Sequence, residues 1–553
     1  MRMTIKSTLV SFLLYGIIQS GLFGMPNGSS ESPWNWQRPA TLPKDLAWAR
    51  DTIEGFAWPA SIKPGETLNL YVSVVQLAPL ASVGQNYDIR IYRIAGTDVL
   101  VRDSLNIQGQ FFPLHDSADQ AILPGHKDRR PVEFKRGCLR YWQGGRVSFS
   151  TAGWQTGVYY AQLKHTTSPN KINYAPFVIR SLSPGSTTKN LFKYDINTFQ
   201  AYNYWGGGSL YSISQDTSLA WTDTIAMDRP LPSAQSVVHT YFMQSFVKVL
   251  SDSGYALDYC NNIDLDSLGL TGSGMGMDLL KNYTMLVIWN HDEYWATGER
   301  DNIEQFKGST YHGNIARFAP NTCFWRINWL IPSGHRLLYC RKGDFPPWDS
   351  TYDKWRFTAA HGGPGRPEAV LLGSQYERGF NLEEPPDIVR KPEHWIFKNT
   401  GLQKDSLFGY GVLKDGVRHG IVSGETDNTL TGQAPFPLDT LAQRLVWSSV
   451  ECPQCSTYLQ HQMIYYEDTT SNARVFAQGS GNWWLGLSSE ASDTADVAKM
   501  RKITTNIISH FAGKRYIGNV YTDINFPLTV YSDRDCPGFS WQFEGDASPG
   551  NVS

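Results

Sequence analysis

Two stretches of the chain carry side chains that could do chemistry. The first is Asn290-His291-Asp292-Glu293-Tyr294-Trp295, which directly follows Met285-Leu-Val-Ile-Trp289. That apolar run is what a buried parallel strand needs. In open α/β sheets ligands sit beyond the carboxyl ends of the strands, so a polar cluster there is a site candidate on topology alone. The same residues also read as a helix start, with Asp292 or Glu293 favouring the N-terminal dipole. The second stretch, residues 197–211, follows a strand at 191–195 and combines Gly206, Gly207 and Gly208 with Tyr202, Tyr204 and Tyr211. This is a glycine-rich loop studded with phenol groups. Taken singly, each tyrosine reads as a packed or capping residue.

Other chemistries lack their signatures. There is no GxxxxGK[S/T] phosphate loop and no GxGxxG opening a helix, and no HExxH zinc helix is present. A GxSxG nucleophile elbow is also absent. These absences argue against nucleotide hydrolysis, zinc proteolysis and serine hydrolysis.

The elements that would position the two stretches fall into two parts. Residues 45–182 read as all-β. Leu68–Val75 and Tyr87–Arg93 alternate polar and apolar at period two, and Gly157–Leu163 and Ala175–Arg180 add further strands. Short strands with turn punctuation such as Pro64-Gly65 predict an immunoglobulin-like β-sandwich. From 189 to 515 strands alternate with helices. Helices are expected over 236–253, 295–307 and 493–511, with Asp493 as an N-cap and Gly308 and Gly513 as stops. Further strands are expected at 314–318 and 474–478. This alternation predicts an open, doubly wound α/β domain, flavodoxin- or glutamine-amidotransferase-like. Residues 516–553 read as a C-terminal extension.

Composition bounds the partners. With 553 residues, the chain is expected to hold two to four domains at roughly 100–200 residues each. A formal net charge of -2 makes a general nucleic-acid binder unexpected. Arg2 and Lys6 before an apolar run over 9–23, with Gly21 and Gly24 near its end, read as a signal peptide over 1–24. A secreted or periplasmic protein is therefore expected, with no stable membrane insertion once the signal is removed. The 7 cysteines are few for an exported chain of this length, so disulfides are not its main scaffold. Cys452-Pro-Gln-Cys455 is a lone CxxC and reads as a local disulfide rather than a zinc site, which needs four ligands.

Several motifs occur in an order that resembles a known family. They are Thr198-Phe-Gln-Ala-Tyr-Asn203, Gly207-Gly-Ser-Leu-Tyr211, Met227-Asp-Arg-Pro230, Asn290-His-Asp-Glu-Tyr-Trp295, Asn321-Thr-Cys-Phe-Trp-Arg326 and Gly479-Ser-Gly-Asn-Trp-Trp-Leu-Gly486. The sandwich region adds Ile53-Glu-Gly-Phe56, Lys63-Pro-Gly-Glu66 and Trp154-Gln-Thr-Gly-Val-Tyr159. In these the chain resembles the large (β) subunit of N,N-dimethylformamidase over most of residues 50–515. The resemblance implies an amide hydrolase with one ferric iron held by two tyrosines and a glutamate beside a histidine. Carried over residue by residue, the metal ligands are Tyr202, Tyr211 and Glu293, with Tyr204 as a substitute for either tyrosine. His291 and Glu293 are the implied catalytic pair, and Asn321 the implied substrate contact.

That assignment is chemically coherent. Phenolate and carboxylate are hard donors that suit a highly charged ion. A tyrosine is un-ionised at neutral pH on its own, and coordination reverses this. The resemblance also has departures. The family amidase works with a small partner subunit and carries an extra lectin-like domain, for which the passage at 182–190 leaves no room. Export, too, is unexpected for a catabolic amidase. The expected partner is a small amide-type substrate, and a homo-oligomer stays open. The rival reading is a non-catalytic secreted protein binding a glycan or cell-envelope ligand. A glycosidase would need two acids facing one cleft, and no such pair stands out in the sequence.

Overall fold

The computed structural model describes residues 53–523 except for 75–84, 113–136, 140, 168–171, 204, 206–209, 211–222, 232, 267–274, 290, 331–335, 343–352, 377–379, 382–383, 415–416, 423–424, 430–436, 450–456, 488–493, 513 and 518–519. The signal segment, Tyr204, Tyr211, the Cys452–Cys455 pair, Asp493 and residues 524–553 lie outside the described residues.

The N-terminal part is two sheets over one core. Strands β1 (Ile53–Ala57), β2 (Ser61–Ile62), β3 (Thr67–Val74), β4 (Asn86–Arg93), β5 (Val99–Gln108), β6 (Arg146–Ser150), β7 (Gly157–His165) and β8 (Ile172–Ile179) form a three-stranded sheet β1-β3-β6 and a five-stranded sheet β2-β8-β7-β4-β5. Period-two patterning sends alternate residues inward. Leu68, Leu70, Val72 and Val74 of β3 thus meet Ile89 and Ile91 of β4 and Ala161 and Leu163 of β7 in a shared core.

The C-terminal part is built on a mixed eight-stranded sheet. In chain order come β9 (Asn190–Tyr194), β10 (Thr224–Ala226), β11 (Asp258–Asn261), β12 (Met285–Trp289), β13 (Tyr294–Ala296), β14 (Asn314–Phe318), β15 (Trp325–Trp329) and β16 (Leu337–Tyr339). In the large sheet, β11, β9, β12, β14 and Arg474–Ala477 run parallel. Thr457–Glu467, Asp439–Ser449 and Phe380–Asn381 continue it antiparallel. Every residue of β12 is buried, as a strand covered on both faces requires. One face carries Phe192, Val287 and Phe318 against helices Ser233–Asp252 and Thr494–Phe511. The other carries Leu191, Ile288 and Ile315 against helix Thr297–Lys307. The whole is a sheet-rich α/β plus all-β arrangement. Among the described residues no helix is long and apolar enough to cross a membrane.

Counted in chain order, the five parallel strands lie 2-1-3-4-5, so the order reverses between β9 and β12. In open sheets of this kind the crevice outside the carboxyl ends at such a reversal is where ligands bind.

The helix expected from Trp295 begins instead at Thr297. Tyr294–Ala296 is strand β13, paired parallel to β15 in a smaller four-stranded sheet, β10-β16-β15-β13. This tertiary pairing overrides the local helix signal. At the other end of that helix Gly308 does stop it, in extended rather than left-handed backbone.

Candidate active site

The short helix Asn197–Ala201 leaves the end of β9, and Tyr202 is its C-terminal cap. Two bonds stitch this helix to the segment after β12. The Glu293 backbone N–H donates to Thr198 Oγ1 at 2.9 Å, and Asn197 Nδ2 donates to the Tyr294 carbonyl at 3.0 Å. The stitching brings two buried oxygens together, with Tyr202 Oη donating to Glu293 Oε2 at 2.9 Å. They come from the two strands that flank the reversal.

His291 packs against the Tyr202 ring, centroids 5.9 Å apart. Its Nε2 lies 3.4 Å from Glu293 Oε2 and 3.3 Å from Glu425 Oε2. His291 and Glu293 do not share a strand face, because residues 291–293 lie between β12 and β13; they meet through the bend of that loop. Asn321 enters from the end of β14. Its Nδ2 donates to Glu425 Oε2 at 2.8 Å and its backbone N–H to Asp427 Oδ1 at 2.9 Å. Asn321 sits at φ 44°, a left-handed conformation that Asn tolerates better than most residues. Arg317, on β14, pairs with Asp427 at 2.5 Å and also donates to Ser374 Oγ. Backbone bonds from Cys323 N–H to Asp292 O and Trp325 N–H to Glu293 O dock the two loops.

The charges in this cluster hold one another. Burial works to lower the His291 imidazole, but the carboxylates of Glu425 and Glu293 overcome it and push it up to about 9. Burial works to raise Glu293, yet its contacts with His291 hold it below the usual carboxylate range. Burial pushes Glu425 up to about 8 against the pull of His291. The three groups share their protons, so titration belongs to the set and not to any one residue.

A second network lies behind the first. Lys193 of β9 is fully buried, 2.5 Å from Asp292 Oδ2, ion-paired with Glu299, and 3.9 Å from the Trp295 ring centroid. Asn262 Nδ2 donates to both carboxylates, at 3.1 and 3.0 Å. Asp292 is thus committed to Lys193, not to a helix dipole. Glu299 closes the start of its helix by accepting from the Ala296 N–H.

Of the residues expected from sequence, the structure brings together Tyr202, His291, Glu293 and Asn321. Tyr211 lies outside the described residues. Glu425, just before the strand Asp427–Asn428, and Asp427, its first residue, were not anticipated. Among the described residues, no group of three or more His, Cys, Asp or Glu side chains is arranged to hold a metal ion.

The family model described as N,N-dimethylformamidase beta subunit-like, C-terminal, matches residues 121–496, more than half of the chain. The chain belongs to this family. Tyr202, His291, Glu293, Asn321 and Glu425 all lie inside the stretch that the N,N-dimethylformamidase beta subunit-like family defines, whereas β1–β5 lie before it. A search of curated proteins finds no match. Among solved structures, a superoxide reductase (neelaredoxin) from Ignicoccus hospitalis is 14% identical, over 24% of this chain and 82% of that one, with a TM-score of 0.14. A Paenibacillus sp. cycloisomaltooligosaccharide glucanotransferase complexed with cycloisomaltoheptaose is 8% identical, over 77% of this chain and 71% of that one, with a TM-score of 0.18. Scores this low carry no argument about fold or function.

Proposed function

We propose that the protein is a metal-dependent hydrolase of amide-type carbon–nitrogen bonds, with Tyr202 and Glu293 as two oxygen ligands of a ferric ion and Tyr211 as the third. The observation that carries this reading is the buried approach of Tyr202 Oη to Glu293 Oε2 at 2.9 Å. Adjacent oxygen ligands at right angles on one ion lie roughly 2.8–3.1 Å apart when each is about 2.0–2.2 Å from it. The two donors present fit such an ion, and both are of the hard type that a ferric ion favours. When bound, the ion supplies Lewis acidity toward an amide carbonyl and acidifies water.

The surrounding residues manage protons and orientation. His291 Nε2, between the Glu293 and Glu425 carboxylates, can give a proton to a departing amine. The Glu425 carboxylate, held by Asn321 Nδ2 at 2.8 Å, can take a proton from attacking water. Asn321 Nδ2 can orient a substrate carbonyl if it turns from Glu425. The apolar walls from Tyr202 and the buried aromatic residues nearby keep bulk water scarce, which strengthens each of these interactions.

The remaining readings go with this one. The two-sheet core supports an immunoglobulin-like sandwich over 45–182, and the 2-1-3-4-5 strand order supports a flavodoxin-like domain over 189–515. Export to a secreted or periplasmic location and a small amide-type substrate complete the proposal. The test is ferric loading of purified protein, read by bound iron and by a phenolate-to-iron charge-transfer band, followed by turnover of a panel of small amides. Protein that stays colourless and iron-free after loading refutes the reading.

A further inference from the structure

Strand β1 has two faces with different duties. Ile53 and Ala57 point into the sandwich core, whereas Phe56, on the alternate face, packs in the core shared with the α/β part. Glu54 shares the Phe56 side of the pleat. It is completely buried, and its Oε1 accepts the Trp205 indole N–H at 3.0 Å.

Trp205 lies three residues beyond Tyr202, in a turn that is held from both sides. From the α/β side, Asn203 Oδ1 accepts the Trp205 backbone N–H at 2.9 Å, and Asn203 Nδ2 donates to Gln200 Oε1 and the Pro230 carbonyl. The Arg229 guanidinium donates to the Trp205 carbonyl at 3.0 Å and the Gln200 carbonyl at 2.7 Å. From the sandwich side, Trp142 meets the Trp205 ring edge-on at 5.8 Å, and Glu54 fixes its indole nitrogen. The helix 197–201 and Tyr202 are therefore clamped between the two parts of the molecule. A hydrophobic residue would fill the same space, but it could not fix the direction of an indole N–H.

We propose that Glu54 is a positioning residue for Tyr202, so that the N-terminal sandwich is a working component of the site rather than a neighbouring module. This rests on the metal-site reading above and adds to it a residue outside the family-matched stretch. Groups that orient a metal ligand from behind are typically worth 10–100-fold in metal affinity or activity.

The test compares Glu54→Gln, Glu54→Leu and Trp205→Phe in the full-length chain. Glu54→Gln keeps an acceptor oxygen and is expected to hold iron affinity and kcat within about threefold of the parent. Glu54→Leu and Trp205→Phe each break the bond from one end. They are expected to weaken iron binding or kcat by about 10–100-fold, to move the charge-transfer band, and to leave KM nearly unchanged. Combining the two should add little to either alone. The inference is overturned if Glu54→Leu and Trp205→Phe keep the parent's affinity, kcat and band, or if Glu54→Gln falls as far as Glu54→Leu. Should Glu54→Leu fail to fold, Trp205→Phe and Glu54→Gln decide the question. Should the parent itself bind no iron, the metal reading fails separately. Amide hydrogen exchange then decides: faster exchange over 198–205 in Trp205→Phe, with β3 and β7 unchanged, supports the clamp, and parent-like exchange there refutes it.

Discussion

Lys193→Met tests whether the network behind the site is a balanced charge cluster. Burial works against the Lys193 ammonium, but Asp292 and Glu299 outweigh it and hold the group charged. Burial pushes Glu299 up to about 8 against the pull of Lys193, and Asp292 lies 2.5 Å from the same ammonium. Methionine keeps the length of the side chain and its packing near Trp295. It leaves the Asp292 carboxylate buried, with the Asn262 amide donating at 3.1 Å. Breaking a buried ion pair from one side costs about 3–5 kcal/mol. Loss of the ammonium from the face of Trp295 adds about 1–2 kcal/mol. These are not independent, and the expected loss is about 4 kcal/mol. Lys193→Met combined with Asp292→Asn removes both charges, keeps the Asn262 contact possible through the new amide oxygen, and is expected to recover at least half of that loss. Urea unfolding followed by tryptophan fluorescence gives both values from the midpoints, provided the slopes agree. A single variant within about 1 kcal/mol of the parent, or a double variant no better than the single, would refute the reasoning.

Other outcomes follow from the same geometry. Tyr202→Phe removes the oxygen 2.9 Å from Glu293 and is expected to weaken and shift the charge-transfer band and lower amide turnover by at least about 100-fold, checked by absorbance and steady-state kinetics. Asn321→Ala and Asn321→Gly both lose the bond to Glu425 and should raise KM alike, but at φ 44° alanine is expected to be about 1 kcal/mol less stable than glycine by urea unfolding. Folded Glu299 keeps its proton up to about pH 8, whereas the unfolded chain releases it near about 4.3. The folded state therefore binds more protons in that window, this contribution to stability falls as pH rises through it, and Glu299→Gln should flatten the slope. Burial holds His394 down at about 4, with Asp439 opposing, against about 6.5 when unfolded. Stability should fall by up to about 3 kcal/mol as pH drops from 6.5 through 4, and His394→Phe should remove that part of the acid limb in a pH series of unfolding curves.

What could be read from the sequence depended on how local its cause was. The run Met285-Leu-Val-Ile-Trp289 announced a strand because a strand covered on both faces has no polar position to alternate. The alternation in Leu68–Val75 announced a strand because every second side chain has to reach the sandwich core. Residues 295 and 296 misled because their conformation is set by pairing with β15, which no local pattern records. Tyr202, His291, Glu293 and Asn321 could be named through ordered motifs, but their contacts could not. Glu425 carried no signal: it lies 104 residues after Asn321, and its approach to His291 is fixed by the Asp427–Arg317 pair and the Asn321 turn. Glu54 stood inside the motif Ile53-Glu-Gly-Phe56, but its part depends on a face of β1 that the α/β part covers, which no local pattern records.

The placement of the site explains why so much of it had to be non-local. Tyr202 and Glu293 follow neighbouring strands at the reversal of strand order, which opens a crevice whose two lips are stitched by the Thr198 and Asn197 bonds and also need support from behind. Something must hold each lip. Lys193 does this for the Glu293 side, because its partners Asp292 and Glu299 bracket the segment that carries Glu293. The turn after Tyr202 has no comparable charge of its own and is braced by Arg229 below and by Glu54 and Trp142 above. One lip is therefore secured by an ion network inside the sheet and the other by contacts across the two parts of the molecule. Loosening the sandwich should disturb the phenol and leave the carboxylate in place, an asymmetry that follows from the topology rather than from any single bond.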